Sequence, residues 1–349
     1  MINSLEFFTV RDGLFLGAEF LLGLAGAWIV SCYGSHLGLV DIPSVRSSHK
    51  VPTPKGGGIG ILFAFILACI LYKVSAWFFL PASCLSFFSL IGDRVHISPR
   101  IRLAVQFASA FVLLLGLGNL AVFHSLVGQA SCSLPCLLFM SFLAAVFVVG
   151  TANFYNFMDG INGIAGITGI IGFGLLAGYG LSHHREPGLV MVCIGMATAC
   201  AGFLPFNLPR AKVFMGDVGS ILLGFLFAAS VLVFSSNVEE FVLLSGFLFP
   251  FYADELVTMA ERIRDRQSLS MPHRRHLYQV LANEAGIAHW KVSLGYGLFQ
   301  FMAGLLFWKA SIAGLAHLSA SMAIVLFLFF YVNNAIKAKY LYCENQDRG

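Results

Sequence analysis

The sequence predicts an all-α, polytopic membrane protein: one helix bundle of about 11 transmembrane helices forming a single domain over residues 1–349. Three observations carry this. Of 349 residues, 58% are hydrophobic and only 11% charged, with a mean hydropathy of +0.84, far from the balance of a soluble domain. Apolar runs of about 17–25 residues, long enough to cross a bilayer, recur along the whole chain. The longest mostly polar stretch, about 260–288, leaves no room for a soluble domain.

The expected spans are 14–35, 57–73, 76–91, 101–120, 134–152, 163–181, 189–206, 218–235, 240–257, 291–309 and 315–335. The first is followed by many others, so it reads as a retained span rather than a cleaved leader. The second and third are short and close together, and form a helical hairpin because both flanking segments are polar. Loops at about 36–56, 92–100, 153–162, 207–217 and 258–290, with Arg102 and Lys291 at their edges and the C-terminal tail, hold 17 of the 21 Lys and Arg residues. Arg11, Lys73, Arg185 and Lys309 fall on the other side. The positive-inside rule then places the N-terminus outside, in the periplasm, and the C-terminus and these loops in the cytoplasm. Cys32, Cys69, Cys84, Cys193 and Cys200 lie in or near apolar runs, where cysteine acts as a small hydrophobe. Cys132 and Cys136 have no histidine or second cysteine pair beside them to make a zinc site. Internal repeats are absent, and membrane lipid rather than nucleic acid is the expected surrounding. The oligomeric state is open, a homodimer being the commonest arrangement in general.

The cytoplasmic loops carry five polar motifs. In the first, Asp41-Ile-Pro-Ser-Val-Arg-Ser-Ser-His-Lys-Val-Pro-Thr-Pro-Lys-Gly-Gly-Gly58, the glycine N–H groups beside Lys55 suit an anion, or else serve close helix packing. The second is Gly92-Asp93-Arg94, followed by Ser98-Pro-Arg-Ile-Arg102. The third, Asn153-Phe-Tyr-Asn-Phe-Met-Asp-Gly-Ile-Asn-Gly163, puts Asn153, Asn156, Asn162 and Asp159 between two spans. In hydrocarbon each such group would cost several kcal/mol, so they face water, protein or ligand. The fourth, Phe214-Met-Gly-Asp-Val-Gly-Ser220, sets Asp217 at a helix start, as an N-cap or a ligand. Asp159 and Asp217 together would offer hard oxygens suited to magnesium held with substrate phosphates. The fifth runs from Asp254 and Glu255 to His273-Arg-Arg-His-Leu-Tyr-Gln279, where Arg274 and Arg275 add phosphate-binding charge. His273 and His276 would share a face if helical.

In motif order, "NFYNFMDGINGIAG", "FMGDVGS" and "HRRHLYQ" resemble the bacterial polyprenyl-phosphate N-acetylhexosamine-1-phosphate transferases, relatives of phospho-N-acetylmuramoyl-pentapeptide transferase. The match runs from about Asp41 to Gln279, and the first and fifth motifs resemble the branch that initiates O-antigen and related polysaccharides. The resemblance implies transfer of a sugar 1-phosphate from a UDP-N-acetylhexosamine donor to undecaprenyl phosphate. It also implies dependence on magnesium (Mg2+), with manganese (Mn2+) as an alternative. By motif, Asp217 would be the principal metal ligand with Asp159 close by. Asn156 would lie beside the nucleotide, Asp93 would be the second of an aspartate pair, and His273 and His276 would bind substrate. Lys55, Asn153, Asn162, Arg274 and Arg275 complete the expected substrate-binding set, and Asp93, Asp159 and Asp217 the catalytic one. The family usually has Asp-Asp where this chain has Gly92-Asp93. A non-catalytic lipid-binding relative, suggested by Gly92 alone, and a transporter of an anionic solute are the competing readings. A transporter would carry ionisable groups at the midplane and on both sides, whereas here they gather at one face.

Overall fold

A computed structural model of the protein describes residues 9–43, 48–95, 97–118, 133–267 and 274–342. It is a bundle of α-helices: α1 (Val10–Tyr33), α2 (Ile59–Leu71), α3 (Ala76–Arg94), α4 (Pro99–Leu117), α5 (Leu134–Met158) and α6 (Ile164–Ser182). These are followed by α7 (Pro187–Asn207), α8 (Asp217–Phe234), α9 (Val238–Gly246), α10 (Phe249–Arg264), α11 (His289–Ser311) and α12 (Leu315–Lys337). A short helical segment at 277–284 precedes α11. Among the described residues the only sheet is an antiparallel ribbon of β1 (Val40–Asp41) and β2 (Thr53–Pro54).

Helix α8 is the hub. It is apolar on every face, so it satisfies the hydrophobic effect only at the centre, and nearly all its residues are buried. It packs against α2, α3, α5, α6 and α9. Glycine makes the tightest of these contacts possible. A Cβ on Gly224 would lie 2.7 Å from the Ala152 Cα, and one on Gly219 would lie 2.9 Å from the Gly58 Cα. Glycines join α1 to its neighbours in the same way: a Cβ on Gly26 would fall 2.4 Å from Gly60 on α2, and one on Gly202 of α7 would fall 2.1 Å from the Phe20 carbonyl.

Around this core α1, α4, α5, α11 and α12 turn large apolar side chains outward, among them Trp28, Leu115, Phe139, Leu298 and Phe327. A surface of that kind and extent suits lipid, not water. Among the described residues eight helices are long and apolar enough to cross a membrane, or nine with α9 and α10 taken together. The multi-pass membrane fold therefore stands, and each expected span coincides with helical structure. Three depart from a simple crossing, and one of them, α11 (expected span 291–309), is long enough but not among the helices apolar enough to cross. α2 has only 13 residues, about 20 Å of helix against a hydrocarbon core of about 30 Å. The expected span 240–257 is broken: α9 and α10 meet at 84°. Pro250 cannot donate an N–H at the break, and the Gln300 amide from α11 donates to the buried Phe247 carbonyl at 2.8 Å.

The turns joining α1 to α2, α3 to α4, α5 to α6, α7 to α8 and α10 to α11 meet at one end of the bundle. Phe214 N donates to Pro54 O at 2.8 Å, Asn162 Nδ2 to Pro209 O at 3.3 Å, and Tyr278 OH to Phe157 O at 3.0 Å. All five sequence motifs therefore share an end. They are narrower than the expected loops. α5 continues through Asn153 and Asn156 to Met158, because both amides find polar partners on neighbouring helices.

Candidate active site

The site is built on the first turn of α8. Gly216 precedes it with φ +76, and no side chain of the segment itself caps the helix. The cap comes instead from Asp93 at the end of α3. Its carboxylate accepts N–H bonds from Asp217 and Val218, both at 3.2 Å. A carboxylate here meets unpaired N–H groups and the positive end of the helix dipole. Any Cβ at residue 216 would lie 2.7 Å from both Asp93 Oδ2 and the Gly56 nitrogen, so the position needs glycine for space as well as for φ. Ser86 on α3 donates to Val218 O at 2.6 Å, fixing the same two helices together. Asp93 is buried, and the Lys55 ammonium lies 3.7 Å from it.

Because Asp93 does the capping, the side chain of Asp217 is available. It pairs with Arg102 of α4, whose Nη2 also donates to Gly92 O at 3.1 Å. On the next turn of α8, Ser220 donates to Asn156 Oδ1 at 2.7 Å, which brings α5 alongside. Asp159 follows directly on α5, partly buried, with no hydrogen-bond donor to its carboxylate among the described residues. Burial, then the charges of Asp217 and Asp93, push that carboxyl up to about 7. Asp93, Asp159, Asp217, Lys55, Arg102 and Asn156 thus form one constellation drawn from separate helices.

The other expected site residues lie around it in structural roles. Asn153 exchanges hydrogen bonds with Gln106 on α4, the shorter at 2.7 Å, and donates to Val149 O at 2.7 Å. Asn162 fixes the α5–α6 turn: its carbonyl accepts from Ser293 at 2.7 Å and its amide reaches Pro209. His276 is 2% exposed. Its Nδ1 lies 3.5 Å from Asp254 and its Nε2 3.4 Å from Glu255. Asp254 in turn accepts from Leu277 N, Tyr278 N and Tyr296 OH. This buried knot fastens the fifth motif to α10 and α11, and Tyr278 extends from it over the turn that holds Asp159 and Gly160. Arg274 lies 3.7 Å from Glu284, and Arg275 pairs with Asp265, lowering that carboxyl chiefly through the hydrogen bond. His273 lies outside the described residues.

One expectation is corrected. The N–H groups of Gly56 to Gly58 are not an anion cradle: Gly56 and Gly57 donate to Phe214 O at 3.1 and 2.9 Å, and Gly58 donates to Met215 O at 2.9 Å. They splice the first motif onto the fourth, leaving the Lys55 ammonium as that loop's contribution. The alternative reading of Asp217 as a simple N-cap also fails, since Asp93 fills that place.

Among the described residues no three His, Cys, Asp or Glu side chains form a ready-made metal cage. Magnesium does not need one: it is usually held by one or two carboxylates together with substrate phosphates and water. The donor set fits that pattern. Among the described residues Asp159 has no ion pair and Asp217 has one, with Arg102.

Arg102 is the residue that motif reading passed over. Its signal was periodicity: Arg102, Gln106, Ser109 and Leu113 share the inward face of α4, whereas Arg100 points outward.

With this geometry in place, comparison with known proteins is informative. Residues 75–235 match the glycosyl transferase family 4 domain. The chain is 29% identical over 279 residues to an undecaprenyl-phosphate alpha-N-acetylglucosaminyl 1-phosphate transferase of Thermotoga maritima, covering 80% of this chain and 84% of that protein. It is 31% identical over 316 residues to a decaprenyl-phosphate N-acetylglucosaminephosphotransferase of Mycobacterium tuberculosis, covering 78% of each. A phospho-N-acetylmuramoyl-pentapeptide-transferase of Trichormus variabilis is 34% identical over 227 residues, 61% of this chain and 60% of its own.

Proposed function

The chain belongs to glycosyl transferase family 4, and on that premise we propose that it moves an N-acetylhexosamine 1-phosphate from a UDP-sugar onto undecaprenyl phosphate. The products are undecaprenyl-diphosphate-sugar and UMP, the first lipid-linked step of an O-antigen or related envelope polysaccharide. The proposal extends to orientation: motif loops and C-terminus in the cytoplasm, N-terminus in the periplasm, with eleven crossings. Relatives named for transfer of sugar phosphates to polyprenyl phosphates support the reaction class. The observation that carries the reading for this chain is the convergence of Asp93, Asp159 and Asp217 with Lys55 and Arg102 at one end of an apolar bundle. A membrane-edge site suits an acceptor anchored in lipid and a donor dissolved in water.

In the reaction an oxygen of the lipid phosphate attacks the sugar-bearing phosphorus of the donor. The bond to the bridging oxygen breaks, and UMP leaves with that electron pair. Two anions must meet, so charge compensation is the main demand. Asp217 and Asp159 would hold the magnesium ion, which supplies neutralisation of the diphosphate and the leaving group. Lys55 and Arg102 add fixed positive charge near it. The Asn156 Nδ2, opposite the oxygen that takes the Ser220 bond, is a donor for the nucleotide. Arg274 and Arg275, on the loop fastened by His276, would add positive charge for phosphate on leaving Glu284 and Asp265. Asp93 holds α8 and Lys55 in register, and acts through them. No strong base is required: a phosphate monoester has its second pKa near about 6 and is mostly dianionic at neutral pH.

The test is purified protein in lipid with undecaprenyl phosphate and a panel of UDP-N-acetylhexosamines, with Mg2+ or with EDTA. UMP release that requires lipid acceptor, metal and one donor of the panel is the expected result. No release with any donor, while the protein still binds the lipid, would favour the non-catalytic reading.

A further inference from the structure

The two arms of the Arg102 guanidinium serve different partners: Nη1 pairs with Asp217, and Nη2 donates to the Gly92 carbonyl. Glycine at residue 92 gives this posture room. A Cβ at residue 92 would stand 3.3 Å from Nη2 and 3.5 Å from Cζ, close enough to shift the guanidinium by a few tenths of an ångström. The side chains of the pair keep 35% and 23% of their surface exposed, so a solute can reach the contact. The other partners at this end of α3 are engaged. Asp93 is held by the α8 N–H groups and Lys55, and Gly92 offers only its carbonyl. Asp217 is therefore the partly exposed site carboxylate that a protein cation pairs with, whereas the Asp93–Lys55 pair is buried on the carboxylate side.

We infer that Arg102 and a divalent cation are alternative partners of Asp217, and that Gly92 sets the balance between them. In the empty site Arg102 holds the carboxylate. When metal and donor enter, the guanidinium gives up Asp217 and turns its planar fork to the diphosphate oxygens, a geometry it matches in two-point fashion. Two cations on one carboxylate repel, so the arginine weakens metal binding before donor arrives and strengthens donor binding afterwards. An aspartate at residue 92 would draw the guanidinium off Asp217 and remove the competition. The inference rests on the proposed role of Asp217 as a metal ligand.

The experiment is Mn2+ binding without donor or acceptor, followed by the EPR signal of free Mn2+, on full-length protein in lipid nanodiscs. A partly exposed ion pair is worth up to about 1 kcal/mol, so Arg102→Met should bind Mn2+ up to about fivefold more tightly than wild type. Gly92→Asp should also tighten binding, and should add nothing in an Arg102→Met background if it acts by drawing Arg102 away. Arg102→Gln serves the same comparison should the methionine variant not fold. Affinity at or below the wild-type value in these arginine variants overturns the inference. The double variant binding much more tightly than Arg102→Met overturns the part given to Gly92. Asp217→Asn separates the two levels. If it loses Mn2+ while Arg102→Met gains nothing, the competition alone is wrong. If it binds as wild type, the metal role of Asp217 is wrong.

Discussion

Replacing Asp93 by asparagine asks whether this carboxylate holds the site together or reacts in it. In the structure it accepts two N–H bonds at 3.2 Å and faces Lys55 at 3.7 Å. Asparagine keeps one acceptor oxygen but turns an NH2 group toward the second N–H, so one charge-assisted bond is lost and two donors oppose each other. A hydrogen bond to a charged group is worth about 1.5–3 kcal/mol. The remaining bond weakens to a neutral one, and Lys55 loses its counter-ion. The sum is a destabilisation of about 2–4 kcal/mol, concentrated where α3 meets the start of α8. Thermal unfolding in detergent and UMP release on the same preparations provide the assay. Stability and turnover should fall together, and metal affinity with them, because Asp217 begins the helix that Asp93 caps. An Asp93→Asn protein with wild-type unfolding temperature and metal affinity but no turnover would refute the reasoning. Asp93 would then act on the reacting phosphates.

The same logic applies to His276, which lies buried between Asp254 and Glu255. His276→Ala leaves those acids facing each other and should cost roughly 3–5 kcal/mol, seen as early unfolding before any change in donor KM. A fully stable His276→Ala protein with weakened donor binding would return the residue to substrate contact. For orientation, reporter fusions after Arg348 and within the loop at Arg274 should both report cytoplasm, and a periplasmic signal at either place contradicts the assignment.

Much of this architecture could be read from the chain, because hydrophobic length is a local quantity. The site could be read in kind more than in role. Asp217 between glycines announced a backbone under close approach, and the fold supplies it: Gly216 lies under Asp93, and Gly219 against Gly58. Which aspartate would cap α8 could not be read, since that depends on α3 arriving from a segment over a hundred residues away. For the same reason Gly56 to Gly58 looked like an open anion site. Only the approach of Phe214 and Met215 shows that their N–H groups are taken. The break between α9 and α10 had a visible cause in Pro250, but the helix that repairs it, through Gln300, is fixed only by tertiary packing. His276 carried the opposite lesson: a histidine beside two arginines reads as a ligand binder, and burial makes it a fastener instead.

The account stands most directly on which bond is broken. A donor UDP-sugar labelled in the phosphorus next to the sugar, supplied with undecaprenyl phosphate and Mg2+, follows that bond. Sugar 1-phosphate transfer at the carboxylate site carries the label into the lipid fraction, releases UMP in equal amount, and is abolished by Asp217→Asn in protein that still folds. Release of UDP with the label left in water, or label transfer undiminished in Asp217→Asn, would contradict it.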